Sequence, residues 1–293
     1  MTPWLLMGCT AALIPGEKVL GDEVAAAIVD GEAGGGFGSS VAVGVDREGE
    51  LMVLVGAPDV GEVLTVSADG EPIWRLSVGR PGFGTRVGWV GTYPWAWEPG
   101  VGVYWLTWLL LDEGSSPQDT AIAVCGEWEV RTRDGRGEAI ACSEERVIST
   151  RCEGLNCTVE AEGSALNDAQ TSAGSAVGFQ GEIACYGDAR LGVDQAGGGV
   201  ACEDGTEVEG MPGDHLGLAI GAGRAAGLFN RHLRPPRARI VPLDGGEVWA
   251  VDRAAERSRI SLDAGHGLVV VGVPGFGAQE AREGRVYIIE EVP

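Results

Sequence analysis

Gly36-Phe37-Gly38-Ser39-Ser40-Val41-Ala42-Val43-Gly44 leads, through the polar stretch Asp46-Arg47-Glu48-Gly49-Glu50, into Val53-Leu54-Val55-Gly56-Ala57-Pro58. Two short apolar, β-branched runs flank a polar turn and are bounded by Gly and Pro, which reads as two strands joined by a turn. Outward from this stretch, a short apolar run ending in a Gly- or Cys-centred turn recurs. It is found at Val53–Gly56, Gly88–Gly91, Ile122–Cys125, Glu182–Cys185, Leu218–Gly221 and Val269–Gly272. A second run follows each, mostly opened by glycine: Gly61–Val66, Gly102–Leu106, Gly137–Cys142, Gly199–Cys202, Gly246–Val251 and Gly284–Ile289. Intervals of 35, 34, 60, 36 and 51 residues separate the first runs, the signature of a repeat architecture with two intervals stretched by insertions.

Composition agrees with a β chain. Gly accounts for 49 of 293 residues. Each glycine in a helix interior costs roughly 1 kcal/mol relative to Ala, whereas turns between short strands use it well. The formal charge is −22, which repels nucleic acid and anionic membranes, so general DNA or RNA binding is excluded. Lys18 is the sole lysine and the other basic residues are Arg.

The segments quoted first closely resemble an FG-GAP repeat, the unit of the integrin-α-like β-propellers. Pro81-Gly82-Phe83-Gly84-Thr85 begins a second copy, and Gly213-Asp214-His215-Leu216-Gly217 is a weaker echo without the Phe. The resemblance implies an all-β fold: a β-propeller of six four-stranded blades over residues 19–293, with room for a seventh between Ser143 and Gly181. A ring buries both faces of each blade and protects most sheet edges. The last run, Gly284 to Glu290, is the third strand of its blade. The ring is therefore expected to close with an N-terminal strand from Asp22 to Asp30 as the missing fourth. A β-sandwich is the rival fold. The glycine loop Gly221-Ala-Gly223-Arg-Ala-Ala-Gly227 matches a dinucleotide-binding turn only in isolation, without surrounding βαβ alternation.

Seven cysteines comprise Cys9 and a central set of six. Cys125 and Cys142 lie 17 residues apart, as do Cys185 and Cys202; in each pair the first ends one strand and the second sits in the next. Facing residues on antiparallel neighbours are within disulfide reach, so Cys125–Cys142 and Cys185–Cys202 are expected to be cross-strand disulfides, and Cys152–Cys157 to staple a small loop. A zinc site lacks CxxC spacing and nearby His. Disulfides imply an oxidising compartment. Leu6-Met7-Gly8-Cys9 resembles a bacterial lipoprotein lipobox, which implies that residues 1–18 are a signal-like segment and that Cys9 is lipidated. On this reading the protein is extracytoplasmic, in the cell envelope, and meets the membrane only through the Cys9 anchor.

Many FG-GAP repeats carry a calcium loop with carboxylates at alternating positions, the hard oxygen ligands calcium takes. The matching positions are Asp46, Glu48 and Glu50, which also read as a solvated acidic turn; calcium is the one cofactor to consider. Two loops are candidate ligand surfaces. Trp95 and Trp97, in Thr92–Glu98, suit stacking on sugar rings or anchoring a protein, or packing over the rim. The insertion Gly223–Gly245 carries Arg224, Arg231, Arg234, Arg237 and Arg239 with no acid before Asp244. Arg forks suit carboxylates or phosphates; the cluster either holds an anionic partner or folds back on the chain's own acids. For catalysis, His215, His232 and His266 fall in different repeats, and no HExxH, GxSxG or Walker motif occurs. The sequence therefore predicts a scaffold that binds a protein or polysaccharide through its upper loops, ahead of a glycan-cleaving enzyme or a structural module of an envelope assembly.

Overall fold

The structure is a computed structural model that describes residues 17–21, 24–32, 34–90, 92–98, 102–106, 122–125, 128–130, 138–142, 147–153, 156–162, 176–180, 183–188, 197–221, 223–227, 237–252, 260–275 and 283–291. Among these, every regular element is a β-strand. The strands fall into seven sheets in chain order. The first sheet is a four-stranded antiparallel meander of β3 (Ser40–Val45), β4 (Leu51–Ala57), β5 (Glu62–Ser67) and β6 (Pro72–Ser77). The second holds β7 (Arg86–Val90), β8 (Tyr93–Glu98) and β9 (Gly102–Trp105); the third holds β10 (Ile122–Cys125) and β11 (Trp128–Val130). β12 (Glu138–Cys142), β13 (Val147–Glu153) and β14 (Asn156–Glu162) make the fourth. β15 (Ala176–Gln180), β16 (Ile183–Asp188), β17 (Gly199–Cys202) and β18 (Glu207–Glu209) make the fifth. The sixth runs β19 (Ala219–Gly221), β20 (Arg224–Ala226), β21 (Arg237–Pro242) and β22 (Val248–Asp252), with β1 (Glu17–Val19) added in parallel to β22.

The seventh sheet contains β23 (Ser261–Gly265), β24 (Leu268–Val273) and β25 (Arg285–Glu290). Its fourth strand is β2 (Ala27–Asp30), paired antiparallel from Ala27 opposite Ile288 to Asp30 opposite Arg285. A strand from the expected Asp22–Asp30 segment thus completes the last sheet. First strands lie against one another in succession: β3 with β7, β7 with β10, β12 with β15, β15 with β19, β19 with β23, and β23 with β3.

Several register assignments are corrected. Gly88–Gly91, Ile122–Cys125 and Leu218–Gly221, expected as second strands of their repeats, instead belong to the first strands β7, β10 and β19; β7 and β19 each directly follow an FG-type turn, Gly82–Gly84 or Gly213–Gly217. Gly137–Cys142 and Gly246–Val251, expected as third strands, fall on β12, the first described strand of its sheet, and on β22, the fourth of its sheet. First and second strands are both short apolar runs that end near glycine, so the sequence alone does not separate them. Likewise, Cys125 sits on β10 opposite Trp128 and Cys142 on β12 opposite Val147, in different sheets rather than across one.

Both faces of each well-formed sheet are buried, which explains the nearly continuous apolar strands. On β24, Val269, Val271 and Val273 pack with Trp249, Val251 and Ile240 of the sixth sheet, while Leu268 and Val270 pack with Val53, Val55 and Val41 of the first. The side-chain alternation of a strand therefore sends odd residues to one neighbour and even residues to the other.

The FG-type turns build the junctions. Phe37, Phe83 and Leu216 are buried plugs between the seventh and first, first and second, and fifth and sixth sheets. Each is followed by a glycine with positive φ: Gly38 (+82°), Gly84 (+81°) and Gly217 (+100°), a conformation other residues adopt only with strain. Their amides donate to Gly56 O (3.0 Å), Trp97 O (3.1 Å) and Ala226 O (3.2 Å) of the second strand in the same sheet. Their carbonyls press on the preceding sheet. Gly38 O meets Gly272, Gly84 O meets Gly56 and Gly217 O meets Gly187, and a β-carbon at any of these three would collide with that carbonyl. Ser261 Oγ and Ser40 Oγ donate to Gly38 O and Gly84 O, each at 2.8 Å.

Gly56→Ala is expected to lower the denaturation midpoint by the equivalent of about 2 kcal/mol or more, the range of core overpacking. Gly265→Ala, whose β-carbon would meet only Val43 Cγ1 at 3.9 Å, is expected to cost about 1 kcal/mol at most. Urea titrations of both variants check the difference.

Candidate binding face

The inter-sheet connections and the turns after second strands meet at one end of the sheets. The β4–β5 turn is tied to the connection before it by Asp59 N to Gly35 O (3.1 Å) and to the one after it by Gly82 N to Pro58 O (2.7 Å). The same topology puts the 210–218 connection beside Gly227 at the end of β20, whose β-carbon would meet Asp214 O. The described residues include three exposed large hydrophobics: Val60 (42 %), Ile73 (41 %) and Met211 (38 %). Val60 sits on the β4–β5 turn and Met211 on the 210–218 connection; Ile73 lies on the outer strand β6.

Arg80, in the connection between the first and second sheets, is mostly exposed. Its Nη2 donates to Glu98 Oε2 (3.2 Å) and to Tyr104 OH (2.6 Å), and Tyr104 OH donates to the same Glu98 oxygen (2.8 Å). Glu98 is buried, and Phe83 meets the Tyr104 ring edge-on at 5.2 Å. Burial, then the bond to Glu98, raises the Tyr104 pKa. No motif announces this cluster, since its members belong to three separate elements.

The sequence-predicted ligand residues fare differently. Trp95 and Trp97 lie within β8, not on a loop. Aromatic residues favour strands. Trp95 pairs with Gly88 and Trp105, and its indole covers Gly88, where a β-carbon would enter the ring. Trp97 takes the Arg86 guanidinium at 5.7 Å from its ring centre. Arg237 is likewise on a strand, β21, and buried, with Nη1 4.0 Å from Glu17 Oε2. Arg239 donates through Nε to Glu17 Oε1 (3.0 Å) and through Nη1 to Asp214 Oδ2 (2.8 Å), and all of these groups are buried. Arg224 lies over the Trp249 ring at 3.6 Å and donates to Glu247 O; desolvation lowers its pKa. The two buried arginines, Arg237 and Arg239, fold back on the chain's own acids, as buried guanidinium groups require, and the half-buried Arg224 folds back on an aromatic ring. Arg231, Arg234 and Cys9 lie outside the described residues.

Asp46 is buried in the β3–β4 turn, where its Oδ1 accepts from Glu48 N (2.8 Å) and Glu50 N (2.9 Å). Glu48 and Glu50 point into solvent, and no group of three or more potential metal ligands occurs among the described residues. Cys185 and Cys202 form a disulfide between directly opposed residues of β16 and β17, within the core shared by the fifth and sixth sheets. Cys152 and Cys157 are opposed in register across β13 and β14. His266 occupies a turn with φ +55° and is exposed.

Asp263, on β23, reaches the first strand of the first sheet: its Oδ2 accepts Val43 N at 2.7 Å. The residue keeps some surface, but its carboxyl is enclosed, and desolvation raises its pKa from 3.8 to about 6 against the opposing bond from Val43 N.

This succession of sheets, sealed at three of its junctions by a glycine turn, defines an all-β protein of the β-propeller class. No protein-family model matches the chain, and no curated protein matches it in sequence. Solved propellers do match in structure. Virginiamycin B lyase from Staphylococcus aureus superposes with a TM-score of 0.51 at 9 % identity, over 89 % of this chain and 98 % of the lyase. The Cps50 (Swd1) β-propeller domain of Myceliophteria thermophila gives 0.40 at 12 % identity, over 90 % and 100 % of the two chains. BamB from Moraxella catarrhalis gives 0.32 at 12 %, over 85 % and 81 %. At these identities the likeness is one of fold.

Two outcomes follow from the geometry. The folded state holds the Asp263 proton more tightly than the unfolded chain, so this group does not oppose folding below about pH 4, and its charged form increasingly does as pH rises through 6. Asp263→Asn should therefore stabilise the protein relative to wild type above pH 6, by up to about 3 kcal/mol, with the gain shrinking towards pH 4; denaturation midpoints across pH 4–8 check it. Asp46→Ala removes the acceptor of two turn amides and should cost about 1–2 kcal/mol. If Asp46 serves the turn rather than an ion, that loss is the same in calcium and in EDTA, as thermal melts in each will read.

Proposed function

We propose that this chain is an extracytoplasmic binding scaffold of the FG-GAP kind, its seven sheets closing into one ring, and that it engages a protein or polysaccharide through the end bearing the inter-sheet connections. The observation that carries this reading is the placement of two exposed apolar side chains at that end, Val60 on the β4–β5 turn and Met211 on the connection between the fifth and sixth sheets, with Arg80 on the same end. Apolar side chains presented beside an arginine are the usual make-up of a recognition surface. The buried Cys185–Cys202 disulfide supports an oxidising compartment. A lipid anchor at Cys9, a Cys152–Cys157 bond and a Cys125–Cys142 bond, the last joining two sheets rather than two strands of one, belong to the same proposal; mass spectrometry of the mature, non-reduced protein tests all three.

The arginines we assign to a ligand are Arg80, on this end, and the insertion residues Arg231 and Arg234, which lie outside the described residues. Trp95, Trp97 and Arg237 are assigned to the body instead, as strand residues. Pull-downs and a glycan array should compare wild type with Val60→Asp/Met211→Asp, with Arg80→Ala/Arg231→Ala/Arg234→Ala, and with Trp95→Ala/Trp97→Ala. A specific partner should be lost at least tenfold in the first or second variant while the melting temperature is kept. The Trp variant should lose stability. A partner held equally by the first two variants would overturn the assignment of this face.

A further inference from the structure

The sixth sheet already has four antiparallel strands, β19 to β22, as the first sheet does. β1 is a fifth, joined in parallel to the outer edge of β22 through Glu17–Val248, Lys18–Trp249 and Val19–Ala250. Three residues of edge pairing hold weakly by themselves. What fixes β1 is charge and one apolar residue. The Glu17 carboxylate is buried against Arg239, at 3.0 Å, and Arg237, at 4.0 Å, while Leu20 enters the core between the sixth and seventh sheets. A chain of net charge −22 thus keeps two buried arginines beneath this one edge. Buried guanidinium groups cost several kcal/mol unless a carboxylate answers them, and here one answer is delivered by a strand. The edge is also connected to the binding face. Arg239 bridges Glu17 to Asp214, whose Oδ2 accepts Met211 N at 2.8 Å and so holds the turn that presents Met211.

We propose that the outer edge of β22, with Arg237 and Arg239 beneath it, is a receiving site for an extended segment carrying a carboxylate, and that Glu17–Val19 is its displaceable occupant. A competing strand enters parallel to β22, pairs with Val248–Ala250 and presents its carboxylate to the two arginines.

Lys18, the sole lysine, lies within β1, so endoproteinase Lys-C cuts the chain only there. Cleavage of the full-length protein under native conditions reads the open fraction of β1. Glu17→Gln is expected to speed cleavage at least about tenfold, since removing one partner of a buried pair is strongly unfavourable. Glu247→Gln removes only the exposed pair with Lys18 and is expected to change the rate less than about twofold. Circular-dichroism melts confirm that the body of each variant unfolds cooperatively. On wild type, a synthetic peptide of residues 15–21 carrying Lys18→Arg, which Lys-C does not cut, is expected to accelerate cleavage as it displaces β1. The same peptide with Glu17→Gln as well is expected not to. Equal rates for Glu17→Gln and wild type, or equal effects of the two peptides, would overturn the proposal. Should Glu17→Gln not fold, the peptide comparison on wild type decides alone.

Discussion

A backbone carbonyl of one sheet rests on the second strand of the sheet before it, and the fold depends on that contact. Gly38 O on Gly272, Gly84 O on Gly56 and Gly217 O on Gly187 repeat one arrangement at three junctions. It demands glycine twice, once where the turn takes positive φ and once where the neighbouring strand must have no side chain. With the carbonyl seated, the plug beside it, Phe or Leu, drops into the core, and the apolar faces of consecutive sheets meet. The chain's excess of glycine is in part a consequence of this geometry rather than of loop flexibility.

The contact also explains what happens between the first and last sheets. The seventh meets the first through the same Gly38–Gly272 approach, Ser261 to Gly38 O, and Asp263 to Val43 N. Two strands from near the beginning of the sequence, β1 and β2, then fasten the outer edges of the sixth and seventh sheets. The seventh sheet is thus bound to early residues at both its inner and outer strands, and the sixth at its outer strand. Two of these fastenings, Asp263 and Glu17, use buried carboxylates where an apolar contact would tolerate small shifts in register. A buried carboxylate tolerates few, because it must keep its partner.

The residues most conspicuous in the sequence are mostly structural. Trp95 and the strand arginines Arg224, Arg237 and Arg239 are chemically suited to ligands, and the same properties suit them to a crowded β-sheet. An indole covers a glycine gap on the neighbouring strand, and a guanidinium satisfies two carboxylates at once. Val60, Met211 and Arg80, which reach solvent at the candidate face, are unremarkable in sequence. They are notable only because a turn and two connections from different sheets bring them to one end.

From sequence alone came the all-β class, the repeat, the FG-type turns at 36–38 and 82–84, the strand that completes the last sheet, and the Cys185–Cys202 pair. These are local or evenly spaced signals: turn glycines, alternating apolar runs, and cysteines whose separation matches one hairpin. Tertiary structure alone decided which runs are first strands and which are second, because both have the same composition and differ only in what they pack on. It also decided that Cys125 and Cys142 fall in different sheets, and that Glu17, Asp214 and Arg239 meet across more than two hundred residues of chain. Such contacts are set by how whole sheets stack, and no short pattern of residues encodes that stacking.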